Sequence, residues 1–203
     1  MDKKLTTSHD IREFFYKKVK EAIMIQDVRV SEDVEVYLVH VLAYFSKSEN
    51  LFREDEEGRL EYRALALKLY DAVFSSPNER VQHLRSLGDT ALYHAGVFYE
   101  GLLSGVVDVN YYISMGGTAY LSLANMSTHV GSHAAKMYHQ MGQQFKDLVT
   151  LLNVCCEKEG TPTDIDLIKI LDRYLRTGSK RDKEILTKAG IVPEGLGINT
   201  TEQ

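Results

Sequence analysis

The stretch from Ser86 to Ala135, SLGDTALYHAGVFYEGLLSGVVDVNYYISMGGTAYLSLANMSTHVGSHAA, decides how we expect this chain to fold. It contains only three charged residues, Asp89, Glu100 and Asp108, and the part after Asp108 contains none. The remainder of the chain is dense in charged side chains. A segment that avoids charge over this length must be shielded from water, either by the rest of the chain or by a partner. We therefore predict two charge-poor helices at the centre of the fold.

The first central helix begins at the clearest helix start in the sequence. Ser76 is placed to cap it, Pro77 occupies the first helical position and Glu79 completes a capping box. We expect this helix to run towards Ser104. The second central helix begins at Asp108. Both contain several glycines, each of which costs a helix about 1 kcal/mol relative to alanine, and this indicates that another backbone approaches closely.

The second central helix carries an uncharged stripe on each side. One stripe can pack on the first central helix. The other needs a second cover, either from further helices of the same chain or from a subunit or partner, since the buried centre of an interface is also depleted of charge. Its residues are Asn110, Ser114, Gly117, Leu121 and Asn125.

Outside this centre, apolar residues recur at steps of three and four, which is typical of amphipathic helices. They predict helices over 8–26, 34–45, 60–75, 132–158, 163–177 and 179–189. The segment Val34–Phe45 is rich in β-branched residues and also fits a strand; the cap at Ser31 favours a helix. The predicted fold is thus all-α, a single compact bundle of seven to eight helices in one domain spanning 1–203, with 1–7 and 191–203 as extended or partly ordered tails.

Composition restricts the function classes. The net charge is 24 − 29 = −5, which argues against general nucleic-acid binding, because such proteins need positive charge to neutralise phosphates. The two cysteines, Cys155 and Cys156, are adjacent, and neighbours on a helix rarely bond to each other, so a reducing compartment fits best. No apolar run follows Met1 and none reaches 18 residues. We expect a cytoplasmic protein with no membrane span.

Three groups of residues are candidates for a site. The first is a predicted ligand-binding set in and after the first central helix, in which a carboxylate and an imidazole in an apolar environment would have shifted pKa values. In the alternative interpretation, Asp89, Tyr93 and Glu100 simply form a narrow exposed stripe. The set consists of Asp89, Tyr93, His94, Glu100, Tyr112 and Tyr120.

The second candidate is a metal site at His129 and His133. Their i, i+4 spacing places both imidazoles on one face if a single helix contains them. Nearby methionine and histidine side chains supply further possible ligands. The alternative is a pair of partly exposed histidines with no ligand, because the helical wheel places both beside polar residues.

The third candidate is an anion site at the junction of the last two helices. Basic residues beside a helix N-terminus repel its positive dipole end unless an anion compensates, so a phosphate or an acidic partner is predicted there. The alternative is an ordinary solvated helix start. The residues are Arg173, Arg176, Ser179, Lys180 and Arg181.

No catalytic constellation is recognisable, and we expect a non-enzymatic protein whose cofactor, if any, is not indicated. The leading hypothesis is a cytoplasmic helical protein that acts through protein–protein contacts, with a protein partner or by self-association as a homodimer. The second is a bundle that binds a small ligand or metal through Tyr, His and Met side chains of residues 89–141. The third is anion or phosphate binding at 173–183.

Overall fold

The structure is a computed structural model that describes residues 8–47, 50, 53–54, 60–61, 65–98, 108–156 and 162–192. It confirms the all-α prediction, since nearly all the described residues lie in helices. The chain divides into two compact units, 1–156 and 157–203, which we describe separately. The expectation that 1–203 forms one domain therefore stays a prediction. The predicted tail at 1–7 lies outside the described residues, as does the predicted tail at 191–203 apart from residues 191 and 192.

The first unit contains eight of the described helices and a two-residue antiparallel strand pair, in which Arg53 is paired with Glu61. Its elements are α1 (Ser8–Gln26), α2 (Glu32–Phe45), β1 (Arg53–Glu54), β2 (Leu60–Glu61), α3 (Leu65–Phe74), α4 (Pro77–Val97), α5 (Val109–Ala124), α6 (Ser127–Val130), α7 (Ser132–Gln143) and α8 (Phe145–Cys156). The second unit contains α9 (Asp164–Thr177) and α10 (Lys180–Lys188).

Helix starts follow the local sequence. The backbone N–H and hydroxyl of Ser76 donate to Glu79 at 3.1 and 2.7 Å, which closes the predicted capping box of α4. Asp108 accepts from the backbone of Asn110 at 3.0 Å and so caps α5. The segment 34–45, which the sequence also allowed as a strand, is helical, because its apolar residues share one buried face.

The two charge-poor helices lie at the centre of the first unit, as predicted. Helix α4 contacts α2, α3, α5 and α8, and α5 contacts α4, α6, α7 and α8. Their close approach depends on small residues: a Cβ added at Gly116 would overlap the ring of Phe145 and lie 2.9 Å from Cβ of Ala91. The described α4 ends at Val97 with Phe98 as its C-cap, and the predicted continuation over 99–104 lies outside the described residues.

The second stripe of α5 is covered over only part of its length. Gly117 is buried against Gly142 and Phe145, and Leu121 packs on Gly142. The same chain thus covers this stripe at Gly117 and Leu121. Asn110, Ser114 and Asn125 are exposed.

The helix count differs from the prediction of seven to eight, since the described part of the chain has ten. The turn expected at 127–131 is a short helix, α6. The single helix expected over 132–158 is interrupted at Gln144, whose amide donates to the carbonyl of Arg29 at 3.3 Å. This interruption separates α7 from α8 and lets both pack on α5.

The second unit is a pair of helices with caps at both starts. Thr163 forms a capping box with Asp166, Gly178 adopts the left-handed conformation (φ 70°) that ends α9, and Ser179 accepts from the backbone of Asp182 at the start of α10. All three features agree with the sequence. Within the ranges given above, no helix in either unit has the length and apolar character needed to cross a membrane.

Candidate functional site

Asp89 lies where three helices of the first unit meet. Its Oδ1 accepts two hydrogen bonds of 2.7 Å, one from the hydroxyl of Tyr37 on α2 and one from the hydroxyl of Tyr120 on α5. Asp89 itself is on α4. One carboxylate oxygen thus joins α2, α4 and α5, and it brings together Asp89 and Tyr120, two residues of the predicted ligand-binding set. Tyr37 was missing from the predicted set.

The tyrosines form an aromatic cluster around this carboxylate. The rings of Tyr120 and Tyr138 stack at 5.7 Å, and Tyr37 contacts both edge-on at 6.2 and 5.8 Å. Tyr120 and Tyr138 are fully buried. Gly88 leaves room for the cluster, because a Cβ added there would come within 2.5 to 3.0 Å of the Tyr120 ring. The glycine before Asp89 is therefore required by the packing of this site.

The environment makes Asp89 a titratable group near neutral pH. Burial raises the pKa of its carboxyl from 3.8 to about 6. The hydrogen bonds from Tyr120 and Tyr37 and the positive charges of Arg85 and Lys68 lower this pKa, but by less than burial raises it. Burial and the neighbouring carboxylate raise the pKa of both tyrosines, so both stay protonated and can donate. The carboxyl gains or loses its proton in a pH range where most carboxylates stay ionised.

An open cleft lies directly beside this group. It has a volume of about 670 Å³ and is formed by α1, α2, the residues after α2, and α4. Asp89 and Tyr37 line it together with Arg85. Its volume falls within the range of small-molecule sites, and a titratable group with a shifted pKa beside a concave surface is a candidate for such a site.

Three other residues of the predicted ligand set do not line this cleft. Tyr93 is buried and stacks on Phe45 at 4.7 Å, so the alternative of an exposed stripe is wrong for this residue. The ring centroids of His94 and Tyr112 are 6.1 Å apart. Burial, together with the positive charge of Lys68, lowers the pKa of His94 to about 4. These three are not among the lining residues of the cleft. Glu100 lies outside the described residues.

The two histidines of the predicted metal site do not share a helix. His129 is on α6 and His133 on α7, and Gly131 lies between the helices with φ 84°. The i, i+4 argument therefore does not apply. His133 is 3.0 Å from Asp33, and no group of three or more potential metal ligands occurs among the residues placed by the structure. A metal at this pair stays an untested hypothesis.

Two arginines of the predicted anion site are paired with acidic side chains of their own unit. Arg173 forms a two-point ion pair with the buried carboxylate of Asp182, and Arg176 pairs with Asp172. Ser179 is buried and caps α10. The hypothesis assumed a basic cluster in need of a counter-ion, and Asp182 supplies that negative charge. Lys180 and Arg181, on the first turn of α10, complete the predicted set.

Comparison of the chain with protein-family models, with curated proteins and with solved structures finds no match. The function of the chain must therefore be inferred from the geometry of the first unit. The carboxylate that joins three helices, the tyrosines around it and the adjacent cleft bring together more convergent polar groups than the histidine pair or the balanced basic junction.

Proposed function

We propose that the protein binds a small ligand in the cleft beside Asp89. The observation that carries this proposal is the juxtaposition of a cleft of about 670 Å³ with a carboxyl group whose pKa is raised to about 6. The hydroxyl of Tyr37 donates to that carboxyl, and Tyr37 is also a lining residue of the cleft. A ligand seated there contacts α1, α2 and α4 at once, so its binding would be linked to the packing of these helices.

This proposal favours the second hypothesis from the sequence, a small-ligand site, over the leading hypothesis of protein–protein contacts. The ligand set is also changed, because Tyr37 and Arg85 replace Tyr93, His94 and Tyr112 beside Asp89. We place the protein in the cytoplasm, and the free state of both Cys155 and Cys156 supports a reducing compartment.

A cleft-filling substitution tests the proposal. Ser46 lines the cleft and is exposed, so Ser46→Trp should occupy part of the cavity while the fold is kept. Ser132 is exposed and is not a lining residue, and Ser132→Trp is the matched control. A thermal-shift panel of diverse metabolite-sized compounds is run on all three proteins. We expect at least one compound to stabilise the wild type and Ser132→Trp but not Ser46→Trp. A panel without any such compound would contradict the proposal.

Protein–protein contact remains a second candidate, on a separate observation. Helix α3 exposes Leu67, Tyr70, Val73 and Phe74. Its two aromatic side chains, Tyr70 and Phe74, are 61% and 73% exposed, and their ring centroids are 4.6 Å apart. A contiguous apolar face of this kind marks interaction surfaces. Homodimerisation through it predicts that Phe74→Glu converts a dimer into a monomer in light scattering coupled to size exclusion. A wild type that is monomeric at high concentration would exclude the homodimer.

A further inference from the structure

Among the described residues that line the cleft, basic side chains outnumber acidic ones, although the chain as a whole has a net charge of −5. Arg12 comes from α1, Lys47 from the turn after α2, and Arg85 from α4. His40, on α2, is a fourth group that can carry positive charge. Among the lining residues that the structure places, Asp89 is the one acidic side chain. An acidic protein thus brings cations from three separate segments to one concave surface, which concentrates positive potential there.

Three of these groups have no acidic partner among the described residues. In the described ranges, Arg12, His40 and Lys47 form no ion pair, whereas Lys20 pairs with Glu35 at 2.5 Å elsewhere on the same two helices. The guanidinium of Arg85 lies 5.9 Å from the centre of the Tyr138 ring. Like charges held around one cavity repel each other unless a counter-ion is bound.

We propose that the ligand of this cleft is anionic, a small molecule whose carboxylate or phosphate group is bound by Arg12, Lys47 and Arg85. This inference rests on the proposed function and names the ligand class. Arginine suits the role because its planar guanidinium forms two parallel hydrogen bonds with carboxylate or phosphate. The remainder of the ligand packs on Tyr44, an exposed aromatic side chain in the lining.

Asp89 gives this binding a defined pH dependence. Its ionised carboxylate repels an anion, and its pKa of about 6 means that it becomes neutral as the pH falls through that value. The groups that face it are Tyr37 from α2, Tyr120 from α5, Lys68 from α3 and Arg85 from its own helix. For an anion whose own charge stays constant over this range, affinity should therefore rise as the pH falls from 7 to 5. Asp89→Asn should remove the part of this rise that is due to Asp89, while any contribution from His40 remains.

The test is a titration of the full chain with inorganic phosphate and, separately, with succinate, at constant ionic strength and followed by two-dimensional NMR. We expect saturable shifts at the side chains of Arg12 and Asn50 with at least one probe, and the stronger probe distinguishes phosphate from carboxylate. Arg12→Ala should bind roughly tenfold more weakly, as for the loss of one charge-assisted hydrogen bond. Lys136→Ala removes an exposed cation outside the cleft and should bind as the wild type does.

Two outcomes would overturn the inference. One is the absence of saturable shifts with both probes. The other is equal weakening by Lys136→Ala, which would show general charge attraction rather than a site. The inference and the proposed function fail in different ways. If a neutral or cationic compound stabilises the wild type but not Ser46→Trp, the cleft is a ligand site and the anion assignment is wrong. If no compound of any charge distinguishes Ser46→Trp from Ser132→Trp, the proposed function itself is wrong.

Discussion

Asp89→Asn should change how the stability of the protein depends on pH. Burial raises the pKa of the Asp89 carboxyl from 3.8 to about 6, so the folded protein keeps this proton over a pH range in which the unfolded chain has lost it. The stabilising effect of the protonated group is fully present below pH 3.8 and is lost as the pH rises through about 6. Asparagine does not titrate, and its Oδ1 can accept from Tyr37 and Tyr120 as the aspartate does.

The magnitude follows from the size of the pKa change. Each pKa unit corresponds to about 1.4 kcal/mol, so the rise to about 6 makes ionised Asp89 roughly 3 kcal/mol less favourable in the folded protein. Between pH 4.5 and pH 7 the linkage relation converts this into a loss of about 2 kcal/mol of unfolding free energy from this one group. All other groups titrate alike in wild type and variant, so the difference between the two isolates Asp89.

The assay is urea unfolding by far-UV circular dichroism at several pH values from 4.5 to 7. Relative to wild type, Asp89→Asn should become more stable by about 2 kcal/mol across that range. Asp147→Asn makes the same chemical change at an exposed position on α8 and should show a much smaller trend. A constant difference between Asp89→Asn and wild type would refute the reasoning. A trend of opposite sign would show that the tyrosyl hydrogen bonds and Arg85 outweigh burial.

Three further predictions concern packing, ion pairing and metal content. Gly116→Ala should destabilise the protein by roughly 1–3 kcal/mol, because the added Cβ overlaps Phe145. Gly117→Ala, whose added Cβ has its nearest atoms at 3.5 Å, should be neutral or slightly stabilising. Urea unfolding measures both, and equal effects would contradict the close packing described at Gly116. Asp182→Asn should lower the stability of the helix pair by about 3–5 kcal/mol, because it breaks a buried ion pair. Asp172→Asn breaks a partly exposed ion pair and should lower it by less than about 1 kcal/mol. Hydrogen exchange of α9 and α10 measures both, and similar losses of protection would refute the ranking. Untagged protein should carry no stoichiometric transition metal, and about one zinc, iron or copper per chain in elemental analysis would contradict this expectation.

Features that depend on neighbouring residues were predictable from the sequence. The capping boxes at Ser76 and Thr163, the left-handed Gly178 and the central position of the two charge-poor helices require only residues within a few positions or the average polarity of a segment. These local rules fixed the fold class and most helix starts.

The composition of the site was only partly predictable, because its contacts span long distances in the chain. Tyr37 and Asp89 are 52 residues apart, and only the packing of α2 on α4 brings them together. The signal available in the sequence was the position of Tyr37 four residues before Val41, on the inward side of α2. The break at Gln144 has a similar cause, since its amide bonds to Arg29 across 115 residues.

The central claim is that the cleft beside Asp89 holds a small ligand, and a crystallographic fragment screen of the full chain tests it most directly. We predict that fragments collect in this cleft, with acidic fragments against Arg12 and Arg85 and aromatic fragments against Tyr44. A screen whose fragments bind elsewhere on the protein, and leave this cleft empty throughout, would contradict the account.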